Sequence, residues 1–455
     1  MQKATIFEFS SINPHFTEAY VAFEYTVHFE DSSSTQFVEK LQFHSPVSVP
    51  SEKTKAVEYA LQAIHLILGI SYYKLYCPKE IRIVGYSLGL EQAEFWNTVY
   101  TKGLGEFFYK NNIDFRGLVK FPTRGGEEGI GRSGGAEEKR SRGEEEKALI
   151  LHGGGKDSIV SVEMMKSTQI PFHLFALNPT RIQEDVANVM QKEIKSIKRE
   201  LDPKLSTLTE VYQGHIPISV IYAFTALLYG LLFDYTYIIA SNEASSSYGS
   251  VEYLGMEVNH QWSKSLEFEN LLREYVSTFI STEIEYFSLL RPYHEIEIAK
   301  KFAAYPKYFT HFSSSNHNFT ILEGKEKRWD LEYSKGKVEF AYAILAAFLS
   351  KKNMDEIFEF EPFALESTLD KYKELLGTKG SKPLDCVGTP QETKVALLMA
   401  HEKGEYVGTP VMNYFEQVVL PTMTDIESMK KEVFKYGNSS NIPQQFSNLP
   451  VGRQV

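Results

Sequence analysis

Residues 148–166, ALILHGGGKDSIVSVEMMK, place the tightest limit on how this chain folds. Four apolar residues run into His152, three successive glycines, Lys156-Asp157-Ser158 and then apolar positions at helical spacing. Glycine inside a strand or helix costs roughly 0.5–1 kcal/mol relative to alanine, so three in a row mark a turn where the backbone comes close to something. A strand, a glycine turn and a helix in that order aim backbone N–H groups outward from a helix N-terminus. Those groups and the helix dipole favour an anion, most often phosphate. Gly153, Gly154 and Gly155 admit the anion's oxygens without a Cβ clash, Lys156 can add positive charge, and Ser158 can donate from its hydroxyl. Asp157 would repel an anion, so it is expected to hold Mg²⁺ or to cap the helix. The spacing is neither that of a Walker loop nor that of GxGxxG.

The chain after this turn alternates between types. Strand 148–151, helix 159–166 and strand 172–177 are followed by a long helix expected to run to about Glu200, then helix 218–232 and strand 235–240. That rhythm predicts an α/β fold with a doubly wound parallel sheet, its ligands at the carboxyl ends of the strands. Upstream, Val21, Phe23, Tyr25, Val27 and Phe29 alternate with Glu24, Thr26 and His28, the period of a half-buried strand. A second strand (TQFVEKLQF) and a helix over 52–69 complete an expected N-terminal α+β domain, residues 1–122. Residues 123–147 hold seven glycines and thirteen charges around one large apolar residue, Ile130, and are expected to form a disordered insertion. The nucleotide-binding domain is then expected over 148–338, a helical C-terminal region over 339–440 and an unstructured tail over 441–455.

Composition narrows the class. Cys77 and Cys386 are the only cysteines in the 455 residues, which excludes a disulfide framework and a thiolate-built zinc site and suits a reducing cytoplasm. A net charge of -11 disfavours nucleic-acid binding. The richest apolar window, Ile216–Ile239, is broken by Ser219, Tyr222, Thr225, Tyr229, Asp234 and Thr236, so no membrane span is expected. The N-terminus has no signal-peptide core. The expectation is a cytoplasmic protein acting on a small molecule.

GGGKDS, placed after a first strand, resembles the SGGxDS signature of the PP-loop ATP pyrophosphatases, with Gly153 in place of the leading serine. An ordered series extends the likeness: GLGEFFYKNNIDF (103–115), GHIP (214–217), SNEASSS (241–247), VNHQWSKSLEFE (258–269), YFSLLRPYHEIEIAK (286–300), FSSSNHNF (312–319) and KPLDCVGTPQE (382–392). Together they resemble the UDP-N-acetylmuramoyl-L-alanyl-L-glutamate epimerases of the MurL type. That resemblance implies inversion of the terminal glutamate of a peptidoglycan precursor, with ATP and Mg²⁺ used to adenylate a carboxylate. The rival readings are another PP-loop reaction (amidation, ligation, sulfur transfer or 7-cyano-7-deazaguanine synthase-like chemistry) and a non-catalytic nucleotide-binding relative. One departure stands out. Where such enzymes tend to carry a WCxxCxKC cluster, this chain keeps Trp329 and Lys335 but has Asp330, Tyr333 and Gly336 at the cysteine positions.

The candidate residues follow from position and chemistry. Gly153 to Ser158 would contact the nucleotide, and the resemblance adds Asn178, at the end of the second strand, beside the adenine. Asp157 and Glu243 are candidate metal ligands, and Glu243 could equally cap the next helix. Asn242, Glu243, Asn259 and Arg291 are candidate substrate contacts. A buried Arg291 would need an anion, either the substrate's or an internal Asp or Glu. Asp157, His215, His260, Lys264 and Cys386 are the catalytic candidates. His260 and Lys264 share a face if their segment is helical. Cys386 is a candidate acid–base thiol, against the plainer role of a small buried hydrophobe.

Overall fold

The computed structural model describes residues 2–124, 146–314, 328–332, 334–437, 441–447 and 449. Its strands are β1 (Ala4–His15), β2 (Tyr20–Phe29), β3 (Ser34–Gln42), β4 (Glu80–Ile83), β5 (Ala148–Leu151), β6 (Phe172–Leu177), β7 (Ile194–Glu200), β8 (Tyr237–Ala240), β9 (Val251–Tyr253), β10 (Met256–Val258) and β11 (Glu285–Ser288). Nine form one sheet in the order β11-β8-β5-β6-β7-β3-β2-β1-β4, and β9 pairs with β10 as a separate hairpin. The run from β11 to β7 is parallel throughout. β7 meets β3 antiparallel, β1 to β3 form an antiparallel meander, and β4 returns parallel to β1. The fold is therefore mixed α/β around a large, mostly parallel sheet.

Sequence accounts for which strands are central. β5 (ALIL), β6 (FHLFAL) and β8 (YIIA) are apolar almost without interruption, as strands covered on both faces must be. Alternate residues enter two different cores. Leu149, Phe175, Ile197 and Ile238 join a core with the N-terminal strands and helices Thr54–Leu68 and Ile218–Leu232. Ala148, Ile150, Leu174 and Ile239 join a second core with the C-terminal helices, including Lys337–Ala346 and Pro390–Glu402. Apart from the β9–β10 hairpin, the strands of residues 1–122 and those of 148–338 thus share one sheet, and 339–437 packs on its other face.

Two expectations need correction. The helix expected to reach Glu200 ends at Met190, where Gln191 takes a left-handed conformation (φ 57°), and the following residues form β7. IKSIKRE reads as a charged helical face, but its backbone pairs with β6 and β3, and Arg199 is buried against Glu39. Sheet pairing overrides local propensity here. The tail also departs from expectation: Phe446 is buried, with its ring 5.0 Å from that of Tyr237 and 5.2 Å from that of Phe287. Residues 125–145 of the expected insertion lie outside the described residues. No helix among the described residues is long and apolar enough to cross a membrane.

Candidate active site

The polar residues gather just beyond the carboxyl ends of β5, β6, β8 and β11. After β5 the chain turns through Gly153–Gly155 into helix Lys156–Met165. Gly154 is left-handed (φ +68°), and a Cβ there would lie 3.2 Å from Gln183 Cγ; one on Gly153 would meet nothing within 4 Å. His152 Nε2 donates to the Gln183 carbonyl at 3.0 Å, and the Gln183 amide donates back to the His152 carbonyl, which ties the turn to helix Arg181–Met190. Among the described residues no group accepts from the amides of Gly153, Gly154 or Gly155. Ser158 donates its hydroxyl to the Gly155 carbonyl at 3.0 Å. Asn178 (φ 46°) bonds through both side-chain ends to the backbone of Arg199.

Lys156 is buried rather than solvated. Its ammonium bridges Asp157 and Glu295, the first residue of helix Glu295–Phe302. Burial opposes the Lys156 charge, but the two carboxylates outweigh it and raise its pKa. Carboxylate oxygens of Asp157, Glu243 and Glu295 all lie within 4.8 Å of one another. Burial, reinforced by the Asp157 charge, pushes Glu243 above the usual carboxylate range. Burial also pushes Glu295 up, against the pull of Lys156. Three crowded carboxylates against the Lys156 ammonium are the oxygen-rich donor set that a hard divalent cation takes, so the residues fit Mg²⁺. The open glycine turn with uncommitted amides beside them fits a phosphate chain.

A second group lies alongside. Residues 262–264 form a single 3-10 turn and not an α-helical face, yet His260 and Lys264 still converge on Cys386. Lys264 Nζ donates to Cys386 Sγ at 3.4 Å, and a ring nitrogen of His260 lies within 4.8 Å of that sulfur. Burial alone would raise the Cys386 thiol, but the charges of Lys264 and Lys337, with His260, bring it down to about 5. Burial would likewise lower His260, yet Cys386 and Glu106 raise it to about 9. At neutral pH the pair is therefore thiolate and imidazolium. His215 sits with its ring centroid 4.4 Å from that of His260. Burial, together with the His260 charge, lowers His215 to about 3 and keeps it neutral.

Arg291 has an internal partner. Its guanidinium donates to Glu269 at 2.9 and 3.2 Å, and to the carbonyls of Glu243 and Lys264 at 2.7 Å each. It therefore locks together the two segments that carry those site residues. Asn242 donates to Ser288 Oγ at 3.1 Å, and Asn259 to the Ser246 carbonyl at 2.8 Å. At the position of the missing cysteine cluster, Trp329 packs between Phe312 and Phe358, with centroids 5.3 and 4.4 Å away. Asp330 is buried there, Gly336 (φ +121°) precedes helix Lys337–Ala346, and Tyr333 lies outside the described residues. Sequence reasoning did not single out Glu106, Glu295, Lys337 or Asp385. Glu106 was the most legible of these, as an acid beside Phe107 and Phe108 in GLGEFFYK.

Fold and site define a mixed α/β enzyme that brings a carboxylate cluster and an ionised thiol together beyond the ends of parallel strands. The MurL N-terminal domain matches residues 1–289 and the MurL C-terminal domain matches residues 311–430. The chain belongs to the MurL family. It is 32% identical to the UDP-N-acetyl-alpha-D-muramoyl-L-alanyl-L-glutamate epimerase of Xanthomonas oryzae pv. oryzae, over 83% of this chain and 82% of that one. It is 30% identical to proteins of the same name from a Micromonospora strain and from Salinispora tropica, over 98% of this chain and 98% and 96% of theirs. No solved structure matches the chain.

Proposed function

We propose that the chain epimerises the terminal L-glutamate of UDP-N-acetylmuramoyl-L-alanyl-L-glutamate to D-glutamate, in the cytoplasm, as a doubly wound PP-loop ATP pyrophosphatase. The observation that carries this reading is the nearly full-length match to epimerases of that name. The chemistry explains why a nucleotide site and a thiolate belong together. An α-proton beside an ionised carboxylate is hard to remove, because the new charge would lie next to an existing one. ATP with Mg²⁺ would supply activation of that carboxylate by adenylation, with loss of pyrophosphate.

The chain's own residues do the rest. The amides of Gly153, Gly154 and Gly155 would bind phosphate oxygens, with Lys156 beside them, and Asp157, Glu243 and Glu295 would hold the cation. Lys264 keeps Cys386 ionised. The Cys386 thiolate takes the α-proton from one face of the glutamate as the C–H electron pair moves toward the carboxyl group. That pair returns to Cα to take a proton on the opposite face, water releases the free carboxylate, and the Cys386 thiol gives its proton up to solvent. Arg291, through the carbonyls of Glu243 and Lys264, holds the metal side and the thiol side in register.

The purified protein incubated with ATP, Mg²⁺ and the L-glutamyl substrate is expected to release pyrophosphate and yield D-glutamate on chiral analysis after hydrolysis. Both products should need ATP and be lost in Asp157→Ala. Pyrophosphate without inversion would move the substrate elsewhere, and the absence of both products would refute the reading.

A further inference from the structure

Glu106 lies far from Cys386 in sequence, in the short helix Gly105–Lys110, on the N-terminal side of the glycine turn. Its carboxylate is buried next to Phe107 and Phe108. A buried carboxylate without a partner costs several kcal/mol, and this one is paired with Nδ1 of His260. With Nδ1 engaged, the other ring nitrogen of His260 is left to serve the thiol. Carboxylate, imidazole and thiol then form one chain running from the N-terminal segment, through the residue 258–269 segment, to the loop that precedes helix Pro390–Glu402.

We propose that Glu106 is a positioning residue for the reactive thiol: it fixes the orientation and charge of His260, which in turn keeps Cys386 in its nucleophilic, proton-accepting form. The proposal rests on reading Cys386 as the group that takes the α-proton.

The surrounding charges agree with this arrangement. Burial pushes Glu106 up, but the His260 bond and charge, with Lys335, outweigh it and hold the carboxyl below its usual range. Around Cys386 stand Lys264 from the 3-10 turn, Lys337 from helix Lys337–Ala346 and His260. Lys382 is also within electrostatic reach. Asp385 accepts from the Cys386 amide at 2.7 Å, and Lys156 and Glu295 line the same small cavity. His215, neutral and packed against His260, cannot substitute for the Glu106 charge. Without Glu106, the buried imidazolium would keep only the Cys386 thiolate as counter-ion, and its pKa would fall. The thiol would then depend more on Lys264 and Lys337.

The test is the pH dependence of iodoacetamide alkylation at Cys386, mapped by mass spectrometry. Cys77, pushed up to about 12 by burial, stays a thiol over the range needed. Glu106→Gln should raise the alkylation midpoint by about one pH unit, and Glu106→Asp should recover part of the shift. A folded Glu106→Gln protein with the wild-type midpoint would overturn the proposal. Should Glu106→Gln fail to fold, His260→Gln must show the same upward shift, and an unmoved midpoint there overturns the proposal equally. Turnover separates the two layers. If Cys386→Ser still epimerises, the reading of Cys386 as the base fails, whereas the alkylation result speaks only to the link from Glu106 to the thiol.

Discussion

Cys386 shows how far a single residue's chemistry depends on its neighbours. An unperturbed thiol is mostly protonated at neutral pH, but beside Lys264 and His260 this one ionises at about 5. Only the thiolate can accept a proton, so kcat/KM should rise as pH increases through about 5 and then level off. A pH–rate profile checks this. Lys264→Met should move that limb toward neutral pH, and Cys386→Ser should lower epimerisation by on the order of a thousandfold. A wild-type limb in Lys264→Met would remove the lysine from the account. Sequence placed Cys386, His260, Lys264 and His215 among the candidates but could not connect them. The contact between Lys264 and Cys386 spans 122 positions, and that between His260 and Glu106 spans 154.

At the scale of elements, the glycine turn was the most legible part of the chain. Three glycines between an apolar strand and a largely buried helix break both periodicities, which marks a turn. Gly154 carries the conformational demand, because its φ of +68° disfavours any side chain and a Cβ there would crowd Gln183. Gly154→Ala should therefore cost about 1–2 kcal/mol in denaturant unfolding and weaken ATP binding measured by calorimetry. Gly153→Ala, where the Cβ has free space, should leave stability nearly unchanged. Equal losses from both would contradict the geometry. β7 was the element that local sequence misdescribed. Its alternation is masked because two of its three buried positions are Ser196 and Arg199, which leaves Ile197 as the one buried apolar residue. The hydrogen bonds that make it a strand come from β6 and β3.

Over the whole molecule, β7 joins the parallel strands to the N-terminal meander, and the Arg199–Glu39 ion pair is buried where it does so. Removing one partner leaves an uncompensated buried charge. Glu39→Ala should therefore destabilise the chain by about 3–5 kcal/mol, whereas Glu39→Leu combined with Arg199→Met should cost distinctly less. Urea unfolding of the two variants makes the comparison; a double variant as unstable as the single one would assign the loss to shape and not to charge. The same continuity explains why Glu106, from the N-terminal segment, can reach a site whose other members lie in β-α connections and the C-terminal loop. Local pattern alone was enough to determine the apolar strands β5, β6 and β8, the helix over 218–232 and the glycine turn, because periodicity and glycine tolerance are properties of neighbouring positions. Tertiary structure decided that 194–200 is a strand, that Arg291 and Lys156 are paired internally, and that Glu106, His260, Lys264 and Cys386 form one site. Pairing partners and ionisation states come from groups that fold together across the chain, and no local window of sequence contains them.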